Sequence, residues 1–150
     1  MAGRYFGQWA IGDRVEHALH RTVTETDNLL FSSLTLNGSY PFYDADATAR
    51  PEPGRLPVAS CFTFGLLVSV AGNDTTLGTM RANLSFDNVV SPNPVFVGDT
   101  LHAESEVTDL RASRSHAGAG IVIFQHRMLN QRGLIVCQCL RVAMVDREPA

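Results

Sequence analysis

One segment carries side chains that could hold or protonate a substrate. The phenols of Tyr40 and Tyr43 can donate a proton, and the carboxylate of Asp44 can act as a base. An Asn37 side chain can orient a water molecule but cannot take its proton, and Phe42 can neither donate nor accept one. Packing would also explain the tyrosines, and Asp44 could instead cap the turn that follows it.

A second set of candidates lies at the start of the apolar stretch 61–71. Ser60 precedes this stretch and is predicted to cap a helix, which leaves the amides of Cys61 and Phe62 unpaired in the first turn. Such amides, aided by the helix dipole, can polarise a carbonyl group. Capping alone would also explain Ser60. The Cys61 thiol has no base near it in sequence, which favours a packing role over a nucleophilic one.

The histidines and the other cysteines do not form a site. We expect His17 and His20 on the first strand, His102 and His126 on later strands, and His116 in a loop. Nothing in the sequence brings them to the segment containing Asp44, so we predict structural or solvent-facing roles. Cys137 and Cys139 are spaced too tightly for a metal or redox site and would face the same side of a strand. We therefore expect no metal and no cofactor.

Composition excludes several other functions. The net charge of −3 over 150 residues, with scattered Lys and Arg, gives no basic surface for nucleic acid. The apolar stretch 61–71 is shorter than the roughly 20 residues that span a bilayer, so no membrane association is expected. Residues 1–12 have no continuous apolar core of a signal peptide. These features predict a cytoplasmic protein with a single domain, 1–150.

The predicted elements form an α+β domain. We expect a strand at 14–23, a helix that Thr24 caps, a long loop at 37–55 with a short helical turn near 44–49, and a mostly buried helix at 57–71. Four strands should follow, at 78–90, 100–112, 120–130 and 134–145. A tight turn at 130–133 would join the last two strands. An antiparallel sheet of this kind should wrap the apolar helix.

Four stretches in this order resemble the MaoC-like enoyl-CoA hydratase/dehydratase family, close to its mesaconyl/itaconyl-CoA hydratase-like branch. They are residues 21–28, 60–66, 93–101 and 111–115. The resemblance implies a hot-dog fold, in which an antiparallel sheet wraps one central helix. It also implies addition of water to, or its removal from, an acyl-CoA or acyl-carrier-protein thioester. Family members use an Asp and a His after the first helix, and amides at the start of the central helix.

The chain departs from the family at the proton-transfer positions. A gapless alignment of the loop places Asn37 on the family's first position, Tyr40 on its Pro, Phe42 on its His and Asp44 on its last Asp. Shifting the alignment by one residue puts Tyr43 on the His and does not restore the Asp/His pair. Loss of general acid/base help costs about 10² to 10⁴ in rate. The resemblance thus predicts the substrate-carbonyl half of the site, at Ser60, Cys61 and Phe62, more firmly than the proton-transfer half.

Three interpretations remain open from the sequence. The chain could be a hydratase or dehydratase with altered catalytic groups, Asn37, Phe42, Tyr43 and Asp44, and with Tyr40 in the substrate pocket. As a lyase of this fold it would form a homodimer. It could instead be a non-catalytic subunit in a heterodimer with a catalytic hot-dog chain, or its pocket could serve another biosynthetic reaction.

Overall fold

The computed structural model describes residues 3–39, 52 and 54–149. They form a 3₁₀ turn, two helices and six strands. The 3₁₀ turn is Phe6–Gln8, the helices are α1 (Glu25–Leu34) and α2 (Ser60–Thr75), and the strands are β1 (Arg14–Glu16), β2 (Arg21–Thr22), β3 (Met80–Val90), β4 (Thr100–Ala112), β5 (Ala119–Asn130) and β6 (Ile135–Asp146). In this part of the chain, no helix is long and apolar enough to cross a membrane.

One antiparallel sheet contains all the strands. Its order is β1-β4-β5-β6-β3, and β2 pairs with β4 beside β1. The four long strands lie within one or two residues of the predicted bounds, because β-branched and apolar residues alternate with polar ones along them. The turn at 130–133 is confirmed: the Gly133 amide donates to the Asn130 carbonyl at 2.9 Å, and Gly133 has a φ of 73°.

Helix α2 packs across β4, β5 and β6, which confirms the wrapped helix and the α+β architecture. Its inner face carries Thr63, Leu67, Val70, Ala71 and Thr75, all buried. The opposite stripe of four residues is exposed: Cys61, Gly65, Ser69 and Asn73. The expectation of a helix that protein surrounds on most sides is therefore wrong for the single chain. Small and polar residues at a four-residue spacing form the open face.

The predicted strand at 14–23 is also wrong as one element. Two short strands, β1 and β2, pair separately with β4. Between them, the His17 amide still donates to the Ala103 carbonyl of β4 at 3.0 Å. The His17 imidazole turns inward to contact Asp74 of α2 and Ser105 of β4. Regular pairing therefore ends where this side chain enters the core.

The predicted Thr24 cap is confirmed. The Thr24 hydroxyl accepts from the Asp27 amide at 3.2 Å, and the Asp27 carboxylate accepts from the Thr24 amide at 2.9 Å. Buried Asp99 holds the turn before β4, since its carboxylate accepts from the Phe96 amide at 2.9 Å. Gly98 supports this turn with a φ of 94°, which a glycine adopts without strain.

Candidate functional site

The start of α2 is held in place by a side chain of α1. Asn28 is fully buried; its Oδ1 accepts from the Ala59 amide at 3.1 Å, and its Nδ2 donates to the Pro57 carbonyl at 2.9 Å. The rings of Phe31 and Phe62 meet edge-on, with centroids 5.7 Å apart. The two helices are thus joined at the point where α2 begins, and sequence reasoning missed the residue that joins them.

Two amides at the start of α2 are open, but they are not the predicted pair. Ala59, not Ser60, is the N-cap, and it makes no side-chain capping bond. Ser60 is the first helical residue, so the predicted cap is wrong by one position. The Phe62 amide donates to the Ala59 carbonyl at 3.0 Å and is not free. Within the described residues, only the amides of Ser60 and Cys61 in this turn lack an acceptor.

A recess of about 360 Å³ opens beside this turn. It is lined by Val58, Ser60, Thr63, residues 91–95 and Val136. The Thr63 hydroxyl is buried and has no hydrogen-bond partner in the described part of the chain. The recess therefore combines apolar walls with a few unsatisfied donors, which is the usual make-up of a small-molecule site.

Asn37 lies in a second recess, at the end of α1. It measures about 350 Å³, and Asn37 lines it together with Leu29, Ser32, Ser33, Leu36 and Gly38. The Asn37 amide donates to the Ser32 carbonyl at 2.9 Å, and its Oδ1 accepts from the Ser39 amide at 3.1 Å. Asn37 thus shapes the start of the loop. Tyr40, Phe42, Tyr43 and Asp44 lie outside the described residues, so their predicted roles remain predictions.

Cys61 does not pack in the core: it is exposed on the open face of α2, so the expected packing role is wrong for the single chain. Cys137 and Cys139 are buried and unbonded to each other, as the packing interpretation predicted. Burial raises the pKa of the Cys139 thiol to about 12, so it stays protonated and unreactive at neutral pH.

A buried polar chain lies on the other half of α2. His17 contacts the Asp74 carboxylate through Nδ1 at 2.9 Å and the Ser105 hydroxyl through Nε2 at 2.7 Å. Ser105 also contacts Nδ1 of His126 at 2.6 Å. The Asp74, His17 and Ser105 order resembles that of a hydrolase triad, but His17 and Ser105 are each 3% exposed. This seclusion agrees with the structural role predicted for the histidines.

Neither recess is lined by a histidine in the part of the chain that the structure describes. The same part holds no group of three His, Cys, Asp or Glu side chains placed to bind a metal ion. The described geometry therefore supplies donors that can bind a carbonyl oxygen. It does not supply a general base.

Comparison with known proteins gives, along the whole chain, the hydratase/dehydratase family that the sequence motifs resemble. The mesaconyl-CoA hydratase family model matches residues 1–150. A mesaconyl-CoA hydratase of Cereibacter sphaeroides is 34% identical over 97% of this chain and 42% of its own length. A beta-methylmalyl-CoA dehydratase of Chloroflexus aurantiacus is 30% identical over 98% of this chain and 42% of its own length. The chain thus spans less than half the length of these curated relatives.

Solved structures give the fold. A MaoC-like dehydratase from Rhodospirillum rubrum superposes with a TM-score of 0.84 at 25% identity, over 99% of this chain and all of that one. A double-hot-dog protein of Mycobacterium tuberculosis superposes with a TM-score of 0.85 at 22% identity, over 98% of this chain and 45% of that one. The sheet wrapped on α2 is a hot-dog fold, and with the match of the family model over residues 1–150 the chain belongs to the mesaconyl-CoA hydratase family.

Proposed function

We propose that the chain is a hot-dog unit of a hydratase/dehydratase, a carbon–oxygen lyase that acts on an enoyl or 3-hydroxyacyl thioester of coenzyme A. The substrates in the names of its relatives, mesaconyl-CoA and beta-methylmalyl-CoA, are the first candidates. The observation that carries this proposal is the pair of amides, Ser60 and Cys61, which have no acceptor among the described residues and stand at the start of α2 beside an apolar-walled recess.

These amides suit the electronic demand of hydration. Water adds its oxygen to the β carbon of the enoyl thioester, and a proton is added to the α carbon. Negative charge develops on the thioester oxygen in between. Donors fixed at the helix N-terminus stabilise that charge without reorganising, and one such donor contributes about 10² to 10³ in kcat. Dehydration uses the same donors in reverse.

We assign proton transfer to the loop after α1. Asn37 would orient the water, as its side-chain amide can do, and Asp44 or Tyr43 would exchange the proton. Tyr40 and Phe42 would shape the pocket. Support comes from the position of Asn37 at the mouth of the second recess, at the end of the helix that Asn28 ties to α2.

A second hot-dog unit completes the assembly in this proposal. Strand β3 pairs only with β6, so its other edge is open among the described residues. Exposed Leu84, Val89 and Val90 lie along β3. Ser69 and Asn73 of the open stripe of α2 line a recess together with Met80 and Asn83 of the same strand. An unpaired apolar edge of this kind needs a cover in a stable protein. We propose a homodimer of this chain.

A second candidate function is a non-catalytic subunit that pairs with another hot-dog chain. It is favoured by the absence of the family's Asp/His pair, whose positions hold Asn37 and Phe42 in this sequence. A stable homodimer that hydrates mesaconyl-CoA without another protein would rule this candidate out.

The test is to incubate the purified protein with mesaconyl-CoA and with beta-methylmalyl-CoA and to identify the products by mass spectrometry. We expect interconversion of the two thioesters. Asp44→Asn or Tyr43→Phe should lower kcat about 10²- to 10⁴-fold, while the matched controls Asp109→Asn and Tyr5→Phe should not. Absence of turnover with both thioesters, in a protein shown to bind neither, would contradict the proposal.

A further inference from the structure

Arg141 of β6 is a buried cation that the proposed reaction does not use. Its side chain is 1% exposed and lies between α2, β3 and the ring of Phe124, whose centroid is 5.9 Å from the guanidinium carbon. Burial lowers the pKa of Arg141 to about 10, which still leaves the guanidinium protonated at neutral pH. A full positive charge is therefore held inside the fold.

Most of the N–H donors of Arg141 form hydrogen bonds with neutral groups. Nε donates to the Asn83 Oδ1 at 2.7 Å, and Nη2 donates to the Thr76 hydroxyl and to the Met80 sulfur, both at 2.8 Å. Among the described residues, Nη1 reaches only the Thr75 hydroxyl, at 3.5 Å, which is the limit of a hydrogen bond. Nη1 is thus the part of the guanidinium with unused donor capacity.

The charge itself has no counter-ion in the described chain. Arg141 forms no ion pair with a carboxylate there, whereas the Asp74 carboxylate on the neighbouring turn of α2 is bound to His17. The nearby Cys139 thiol, with its pKa raised to about 12, is neutral. A buried charge without a partner is strongly unfavourable, and such charges in native proteins are normally paired.

A recess leads from the surface to this guanidinium. It measures about 280 Å³ and is lined by residues 68, 69, 72, 73, 76–78, 80, 83 and 141. Gly72 forms the wall nearest to Nη1: a Cβ added there would lie 4.0 Å from Nη1, and in the described chain, apart from the two residues next to Gly72, no other side chain comes within 4 Å of it. Gly72 therefore places no side chain of its own between the recess and the unused donors.

We propose that this recess binds a carboxylate group, which the Nη1 donors of Arg141 anchor. The site lies about 18 Å along α2 from Ser60, by the rise of 1.5 Å per residue, and is separate from the proposed active site. Arg is suited to carboxylates because its planar donors match the two oxygens. Exposed Leu77 and Met80 at the rim favour an acidic side chain of a second hot-dog unit as the source. A small carboxylic acid in solution has the same chemistry.

The first arm of the test measures thermal unfolding while sodium chloride is replaced by sodium acetate at constant ionic strength. A free carboxylate that binds the folded state raises the midpoint in a saturable way. The rise should vanish in Arg141→Met and persist in Arg14→Met. Arg14 is a matched control because it is an exposed arginine of β1 that pairs with Glu106, and β1 lies at the opposite end of the sheet from β3.

The second arm measures self-association by sedimentation equilibrium in chloride. If the carboxylate comes from a second copy, Arg141→Met should raise the dissociation constant at least about tenfold, and Arg14→Met should leave it unchanged. A saturable acetate effect identifies the small-molecule source, and an association effect identifies the second unit.

Gly72→Ala keeps the test valid where Arg141→Met does not fold. This variant preserves every donor of Arg141 and favours the helix, but its methyl group stands in the approach to Nη1. We expect Gly72→Ala to lose the acetate shift or to weaken self-association, whichever of these two changes Arg141→Met produces. Equal acetate shifts and equal association constants in the wild type, Gly72→Ala and the arginine variants would overturn the proposal.

Discussion

The Asn28 side chain of α1 accepts a hydrogen bond from the Ala59 amide, 3.1 Å away and one residue before α2 begins. Its Nδ2 donates to the Pro57 carbonyl at 2.9 Å, so one fully buried carboxamide satisfies two backbone groups of the chain that enters α2. Since Ala59 offers no side-chain cap, this contact fixes where the open amides of Ser60 and Cys61 stand.

We expect Asn28→Ala to lower the free energy of unfolding by about 2–4 kcal/mol. The substitution leaves the Ala59 amide and the Pro57 carbonyl without their hydrogen-bond partner and creates a small cavity. Urea unfolding followed by circular dichroism measures this loss. Asn73→Ala, on the exposed stripe of α2, is the matched control and should change stability by less than about 0.5 kcal/mol. Equal losses in the two variants would remove Asn28 from this role.

Ser60→Pro should remove one of the two open amides without breaking α2. Proline is favoured at the first helical position, and Ala59, at φ −58° and ψ 127°, already has the backbone angles that a residue before proline adopts. We expect kcat with mesaconyl-CoA to fall about 10²- to 10³-fold.

Ser60→Ala is the control for this loss, since it removes the hydroxyl and keeps the amide. It should retain nearly full activity. If both variants lose activity equally, the hydroxyl and not the amide contributes to catalysis, and the assignment of the carbonyl-binding group is wrong.

Local signals in the sequence predict the elements that position the site. Thr24 and Asp27 are three residues apart, so their reciprocal cap is visible in the sequence, and the same holds for the turn that ends at Gly133. The long strands are predicted by the alternation of apolar and polar residues along them. These features need only the residues next to them.

The parts that could not be predicted depend on residues far apart in the chain. Asn28 binds Ala59, 31 residues away, and Arg141 binds Asn83, 58 residues away. Neither residue type indicates its partner, and both lie in stretches whose pattern predicts only a helix or a strand. Ser60 was the wrong cap for the same reason: the residue that satisfies the chain before α2 comes from another helix.

His126 should make stability depend on pH. Burial, and then the charges of Arg141 and His17, lower its pKa from 6.5 to about 3. Between these values the unfolded chain holds a proton that the folded chain lacks, so stability is full above about pH 6.5 and falls as the pH decreases toward 3. The contribution of this residue approaches about 1.4 kcal/mol per pH unit.

We expect His126→Phe to flatten this dependence, while it costs about 1 kcal/mol at pH 7.5 through the lost contact with Ser105. Urea unfolding at pH 7.5, 6 and 5 gives the slope of the free energy of unfolding against pH for the wild type and for His126→Phe. His116→Ala, in an exposed position, controls for the loss of a histidine. An unchanged slope in His126→Phe would show that other groups govern acid unfolding.

Leu84→Lys should dissociate the proposed homodimer. Leu84 is 47% exposed on β3, the strand whose outer edge is open, and a buried lysine without a partner is strongly unfavourable in an interface. We expect light scattering after size exclusion to shift from the dimer mass to the monomer mass at micromolar protein. Leu134→Lys is the matched control, because Leu134 is 41% exposed at the turn between β5 and β6, away from that edge. If Leu84→Lys remains a dimer, the second unit docks elsewhere, and the edge of β3 is not the interface.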